Sequence, residues 1–194
     1  AFSFYPGKNL GAYGEGGAAT TNDPELARKM RLLRDWGQQR KYHHEMLAYN
    51  YRMDSVQGAI LRVKMRHLQD WTERRRRLAA LYRERLTALG FVASTGAPGR
   101  RHVYHIFSIF HPERDAIQHW LGERGIQTGL HYPVPVHLQE AYRELGHRVG
   151  DFPVSERIAA EQLSLPIYPE LAEAQVERVV EALRDWSAQA SNGP

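Results

Sequence analysis

Between Ser3 and Gly17 one lysine, Lys8, sits in a run carrying five glycines, SFYPGKNLGAYGEGG, and this run constrains the chain more than any other. Glycine at this density is costly inside a helix or a strand and lets the main chain come close to a neighbour or a ligand. Pro6 and Asn9 add turn signals, so Lys8 is expected on a loop. A hydroxyl, Ser3, stands five residues ahead of it. The run is not a nucleotide-binding P-loop. That motif needs GxxxxGK followed by Ser or Thr, whereas Asn9 follows Lys8 and Phe2 occupies the first glycine position.

Composition narrows the class. The chain has 194 residues, no cysteine and 42% hydrophobic residues, enough for a sizeable core and nothing for a disulfide framework or a thiolate metal site. No signal-peptide pattern and no apolar run of membrane-spanning length is present, so a cytoplasmic chain is expected. The formal charge of +4 suits an anionic small substrate as well as a nucleic acid. The basic run RRRR, 74–77, spreads over every face of a helix, so it reads as solvated. Nucleic-acid binding rests on that run and the net charge alone. His43 and His44 lack a ligand partner at four-residue spacing, so no metal site is expected.

Periodicity supplies the rest. A short strand should enter the lysine loop over 1–5 and another should leave it over 16–21. Asn22 or Asp23 with Pro24 marks a helix start, and Gly37 closes that helix. From Asp54 an apolar stripe runs to Leu89, predicting one long helix that connects two domains. After Gly90 come a strand over 102–110, a helix to Glu123 and a short strand over 126–128. A short helix over 138–145, a helix over 151–163, an extended strand over 164–169 and a last helix follow. The tail beyond Trp186 is expected to fray. The domain reading is 1–53, the end of a large domain; 54–90, the connecting helix; 91–186, a small α/β domain; and 187–194, a tail.

Three stretches together resemble the DegT/StrS-type nucleotide-sugar aminotransferases, which use pyridoxal 5'-phosphate (PLP). Ser3, Phe4, Lys8, Asn9, Gly16 and Gly17 fall on the family's lysine loop. AYNYRMDSVQGAIL, 48–61, is similar to its G-Y-N-x-R-M-x-x-x-Q-A-A-I-L run. HYPVPVH, 131–137, looks like its small-domain loop. The resemblance implies an α/β fold, the C-terminal part of a type I PLP aminotransferase. It implies that Lys8 forms the Schiff base with PLP, that Ser3 hydrogen-bonds the cofactor phosphate, and that Asn50 reaches the phosphate of the other subunit in a homodimer with a shared site. For Asn50 a plain turn cap before the helix stays open. Tyr5, His131 and Tyr132 are substrate-binding candidates, although His131 and Tyr132 read equally well as parts of a rigid loop.

The activity implied is transfer of an amino group, usually from glutamate, to a keto group of a nucleoside diphosphate-linked deoxy sugar. The runs KYHHEMLAYNYRMD and GIQTGLHYPVPVHLQ look most like the branch acting at C3. Relatives with His in place of the lysine dehydrate instead, and Lys8 argues against that variant. The partners implied are a nucleotide sugar and an amino-acid donor, with no nucleic acid and no membrane. The sequence opens on Ala1, about halfway along such an enzyme, and lacks the upstream cofactor residues. A fragment of a longer enzyme is therefore expected, with a catalytically silent binding or regulatory remnant as the alternative.

Overall fold

The structure is a computed structural model and describes residues 1–191. The chain divides into two units, Ala1–Asp70 and the remainder from Trp71.

In the first unit, β1 (Phe2–Ser3) pairs antiparallel with β2 (Gly17–Ala18), so the two strands close the lysine loop at its base. Helix α1 (Pro24–Arg34) starts as its sequence requires. Asp23 Oδ1 accepts the Glu25 and Leu26 N–H groups at 2.8 and 3.2 Å, and Pro24 fills a position where no N–H is needed. The helix ends through Trp36 and Gly37, at φ 60° and 68°. A Cβ on Gly37 would lie 2.0 Å from the Met46 carbonyl oxygen, so conformation and space both demand glycine. A hairpin of β3 (Gln38–Arg40) and β4 (His43–His44) follows, then α2 (Ser55–Lys64).

The second unit is built on a three-stranded antiparallel sheet in the order β5 (Val92–Ala93), β6 (Phe107–Phe110), β7 (Gln162–Leu165). Around it stand α3 (Leu68–Ala88), α4 (Arg114–Glu123), α5 (Pro153–Glu161) and α6 (Glu173–Ser191). Two 3-10 turns, Val136–Leu138 and Glu140–Leu145, lie in the long connection before α5. Leu78, Tyr82 and Leu86 of α3 recur one helical turn apart, as do Val176, Val180 and Leu183 of α6, and these stripes meet Phe107, Ile109, Leu163 and Leu165 in one core. Tyr82 stacks on Phe107 at 5.1 Å, and burial raises the pKa of its phenol, which donates to the Pro166 carbonyl.

Several features differ from the sequence reading. The stripe from Asp54 to Leu89 is two helices, because the chain turns through 65–67 between α2 and α3. Of the expected strand over 102–110 only Phe107–Phe110 forms. The carbonyls of His102, Tyr104 and His105 are taken by arginine side chains, and Tyr104 sits at φ 43°, so these residues cannot join a ladder. Residues 126–128 form no strand; the chain instead makes a single bridge from Gly129 to Ser164. Residues 138–145 form 3-10 turns, and α6 continues to Ser191, past the point where fraying was expected. Residues 192–194 of the expected tail lie outside the described residues.

The arginine run is the sharpest correction. Arg75 is 6% exposed, and its Nη1 donates to the carbonyls of Ile167 at 2.7 Å, Tyr104 at 3.2 Å and His105 at 3.4 Å. Burial lowers its pKa, partly offset by the charge of Glu170. One guanidinium thus satisfies carbonyls from two separate loops that the core would otherwise leave dry.

Glu156 of α5 plays a similar part at the surface. Its carboxylate accepts the N–H groups of Gly150 and Phe152 at 2.9 and 3.1 Å and faces His137 Nε2 at 3.0 Å. The Gly150 bond first, then Phe152 and His137, hold its pKa below the usual glutamate range against the opposing effect of desolvation. Its contribution is therefore complete above the ordinary glutamate pKa and is lost as the pH falls through the lower folded value.

Replacing Arg75 with methionine should lower the unfolding free energy by about 3 kcal/mol, the order expected when buried acceptors lose a charged donor. The exposed neighbour Arg74→Met should stay within about 0.5 kcal/mol of wild type. Urea denaturation of the two variants checks this; equal effects would mean that Arg75 is no more structural than its neighbour.

Candidate active site

The lysine loop is a folded object. Between its base strands, Phe4 N–H donates to the Gly16 carbonyl and Ala12 N–H to the Phe4 carbonyl, both at 2.8 Å. At its tip Lys8 N–H closes a turn onto the Tyr5 carbonyl at 2.9 Å, with Pro6 and Gly7 at the corner. Gly11 then passes so close to the corner that a Cβ there would lie 2.2 Å from the Pro6 carbonyl oxygen. Any other residue would push the tip open, which is the physical reason for glycine at this position.

Helix α2 grips the return limb. Gln57 Oε1 accepts the Tyr13 N–H at 2.8 Å, and the Lys64 ammonium donates to the Gly11 carbonyl. Lys64 also stands 5.2 Å from the Tyr13 ring centre. Leu10 and Ala12 pack with Leu61 in a small apolar cluster flanked by Phe4 and Leu68. Lys8 is half-buried, while Ser3 and Tyr5 are exposed, and Ser3 Oγ accepts the Tyr5 N–H at 3.3 Å. Ser3, Tyr5 and Lys8 therefore belong to one braced loop. A cavity of about 1100 Å³ in the same unit is lined by Phe4, Ala18, Met30, Arg34 and Arg52, among others, but not by Lys8.

Asn50 occupies a second fixed position in this unit. It bridges Asp35 at the end of α1, and the flanking bonds from Tyr49 N–H to Leu33 and Tyr51 N–H to Arg34 lock the strand-like segment in place. Its side-chain carbonyl accepts Arg52 Nε–H at 3.0 Å, and Arg52 in turn pairs with Asp35 at 3.3 Å. The carbonyl is thereby occupied, and the NH2 of this exposed residue is its remaining donor. The residue preceding α2 is Asp54.

His131 and Tyr132 lie in the second unit. The His131 ring touches Tyr132 edge-on at 5.5 Å, and its Nδ1 lies 2.8 Å from Ser164 Oγ. Tyr132 is exposed. Sequence reasoning misses the supporting residues. Gln57 stands inside the 48–61 run without a role attached, and nothing in the sequence marks Lys64, Asp35 or Gln162.

The model of the DegT/DnrJ/EryC1/StrS aminotransferase family matches residues 1–184. The chain is 48% identical over 188 residues to a "Pleiotropic regulatory protein" of Geobacillus stearothermophilus, covering 95% of this chain and 50% of that one. It is 46% identical over 188 residues to the dTDP-3-amino-3,4,6-trideoxy-alpha-D-glucose transaminase of Streptomyces venezuelae, covering 96% of this chain and 50% of the relative. The crystal structure of S. venezuelae DesV in complex with a ketimine intermediate superposes with a TM-score of 0.92 at 46% identity, over 96% of this chain and 50% of that one. The chain thus spans about half the length of the curated relatives it matches. Its mixed α/β architecture is that of the C-terminal part of a type I PLP aminotransferase.

If α2 fixes the lysine loop, Gln57→Leu should loosen the return limb without unfolding the unit. Loss of one hydrogen bond of about 1 kcal/mol should speed hydrogen exchange at the Tyr13 amide roughly fivefold. Exchange at Tyr13 unchanged from wild type would remove Gln57 from this role.

Proposed function

This chain belongs to the DegT/DnrJ/EryC1/StrS aminotransferase family, and from that premise we propose that it supplies the lysine-bearing part of a PLP-dependent sugar aminotransferase. The reaction moves an amino group from glutamate to a keto carbon of a nucleoside diphosphate-linked deoxy sugar, at C3. The observation that carries this reading is the braced loop that holds one half-buried lysine, Lys8, with the hydroxyl residue Ser3 at its base. The C3 position draws on the Streptomyces venezuelae relative, whose name specifies a 3-amino sugar.

The donor set fits a phosphorylated aldehyde. An amine is required for the aldehyde, and Ser3 Oγ–H and the NH2 of Asn50 are neutral donors for phosphate oxygens. PLP, when bound, supplies the electron sink for charge developing on carbon. The chain's residues do the rest. With the cofactor bound, Lys8 Nζ would serve as the acid–base group that carries a proton between the two carbons joined through the transferred nitrogen. The bonds from α2 to the return limb, at Gly11 and Tyr13, hold the loop backbone that carries Lys8, which lowers the entropy to be lost when the site engages its substrate. Asn50, rigidly mounted on the end of α1, serves the phosphate group held by a second copy in a homodimer. Tyr5, His131 and Tyr132 recognise the sugar nucleotide.

Incubating the full-length enzyme that contains this chain with PLP, reducing with borohydride and mapping the peptides should place a pyridoxyl group on Lys8 and leave Lys29, Lys41 and Lys64 unlabelled. Uniform labelling of all four would reject a dedicated amine. In the homodimeric enzyme, Asn50→Ala should weaken cofactor retention about tenfold, the order of one hydrogen bond to a charged group. Labelling at Lys8 without any transfer of an amino group would favour the alternative, a silent binding remnant.

A further inference from the structure

The second face of the small sheet carries a buried polar row. Ser108 and Ser164 are directly paired across β6 and β7, and Gln162 lies two residues before Ser164 on the same side of β7. Ser108, Gln162 and Ser164 are 7%, 3% and 6% exposed. Gln162 Oε1 accepts the backbone N–H of His131 at 2.8 Å. A backbone N–H can only donate, so the orientation of the Gln162 amide is not a free choice: its oxygen faces His131 and its nitrogen faces the serines. That nitrogen donates to Ser108 Oγ at 2.7 Å and to Ser164 Oγ at 2.6 Å.

Ser164 has a single hydroxyl proton, and its oxygen already accepts from Gln162. The hydroxyl also lies 2.8 Å from His131 Nδ1. If Nδ1 carried the ring proton, Ser164 would accept twice and its own proton would have no acceptor among the described hydrogen bonds, a costly state for a buried hydroxyl. With Nδ1 unprotonated the Ser164 hydroxyl proton finds an acceptor in the ring. Two further features hold the ring. Gly129 exchanges both backbone bonds with Ser164, at 3.1 and 2.8 Å, and a Cβ on Gly129 would lie 2.9 Å from His131 Cε1. The ring is thus pressed against bare backbone with Nδ1 inward, at the edge of a cavity of about 240 Å³.

We propose that Gln162 and Ser164 are positioning residues that fix the neutral imidazole of His131 with its proton on Nε2, so that His131 meets the substrate as a hydrogen-bond donor. The ligand group is an acceptor oxygen of the nucleotide sugar, and this rests on the reading of His131 as a substrate-facing residue. Orientation is passed from a main-chain N–H through one amide and one hydroxyl to the ring. The donor is therefore set before substrate arrives, and no reorganisation is required on binding.

Long-range proton–nitrogen NMR correlation on the labelled chain, above the pH at which imidazoles titrate, reads the tautomer directly. Wild type should show His131 protonated at Nε2, with Nδ1 as a hydrogen-bonded acceptor. Ser164→Ala should lose the acceptor signature and populate both tautomers, and Ser164→Thr should restore the wild-type pattern. Gln162→Glu, whose carboxylate accepts from the Ser164 hydroxyl, should move the ring proton to Nδ1. A wild-type ring protonated at Nδ1 overturns the proposal, as does a Ser164→Ala ring indistinguishable from wild type. Addition of thymidine diphosphate separates the two readings. An Nε2–H resonance that shifts supports the substrate role. One that stays fixed, while the serine variants change the tautomer as expected, leaves the relay intact and removes His131 from the substrate site.

Discussion

Strand β6 is buried on both faces, and the second unit depends on how differently those faces are used. Phe107 and Ile109 turn into an apolar core shared by α3, α4 and α6, whereas Ser108 turns into a polar row with Gln162 and Ser164. An apolar face needs only volume and tolerates small shifts. A buried polar face tolerates none, because each donor must meet an acceptor. The same few residues of strand therefore supply both cohesion and orientation, and the loop bearing His131 inherits its geometry from the second of these.

A comparable division holds in the first unit, where the cluster of Leu10, Ala12 and Leu61 is too small to immobilise a loop by itself. Polar contacts complete the hold. Gln57 and Lys64 reach from α2 to the backbone of the return limb, and Gly11 lets the tip fold back on the Pro6 carbonyl. Family membership and the presentation of Lys8 thus point in one direction. The lysine proposed to do the chemistry is carried by a loop, and a helix holds that loop in place.

What can be read in the sequence follows from where each interaction is local. The Asp23 cap with Pro24, the glycine exit at Gly37 and the apolar stripes of α3 and α6 depend on neighbours within a turn or two, and all are legible. The lysine loop is legible as a motif, but the parts of α2 that hold it are not, since Gln57 and Lys64 act across 44 and 53 residues. The break at 65–67 carries neither glycine nor proline, so an uninterrupted apolar stripe hides it. Arg75 is hidden for the same reason: a run of four arginines signals solvent, and the three carbonyls that claim one of them lie 29 to 92 residues away. Those bonds also explain why 102–106 does not extend a strand that composition favours.

Glu156 gives the molecule a feature of another kind. Residues 139–152 are exposed throughout, without helix beyond a 3-10 turn, and a single carboxylate gathers two of their backbone N–H groups along with His137. Ring packing of Phe152 against His137 and His147 joins that hold, and Asp151 adds a second carboxylate that accepts the Arg148 N–H at 2.9 Å. Acid therefore removes the part of the hold that Glu156 supplies, as the pH falls through its lowered folded value. An otherwise solvent-washed connection is thus moored to α5 through an ionisable knot.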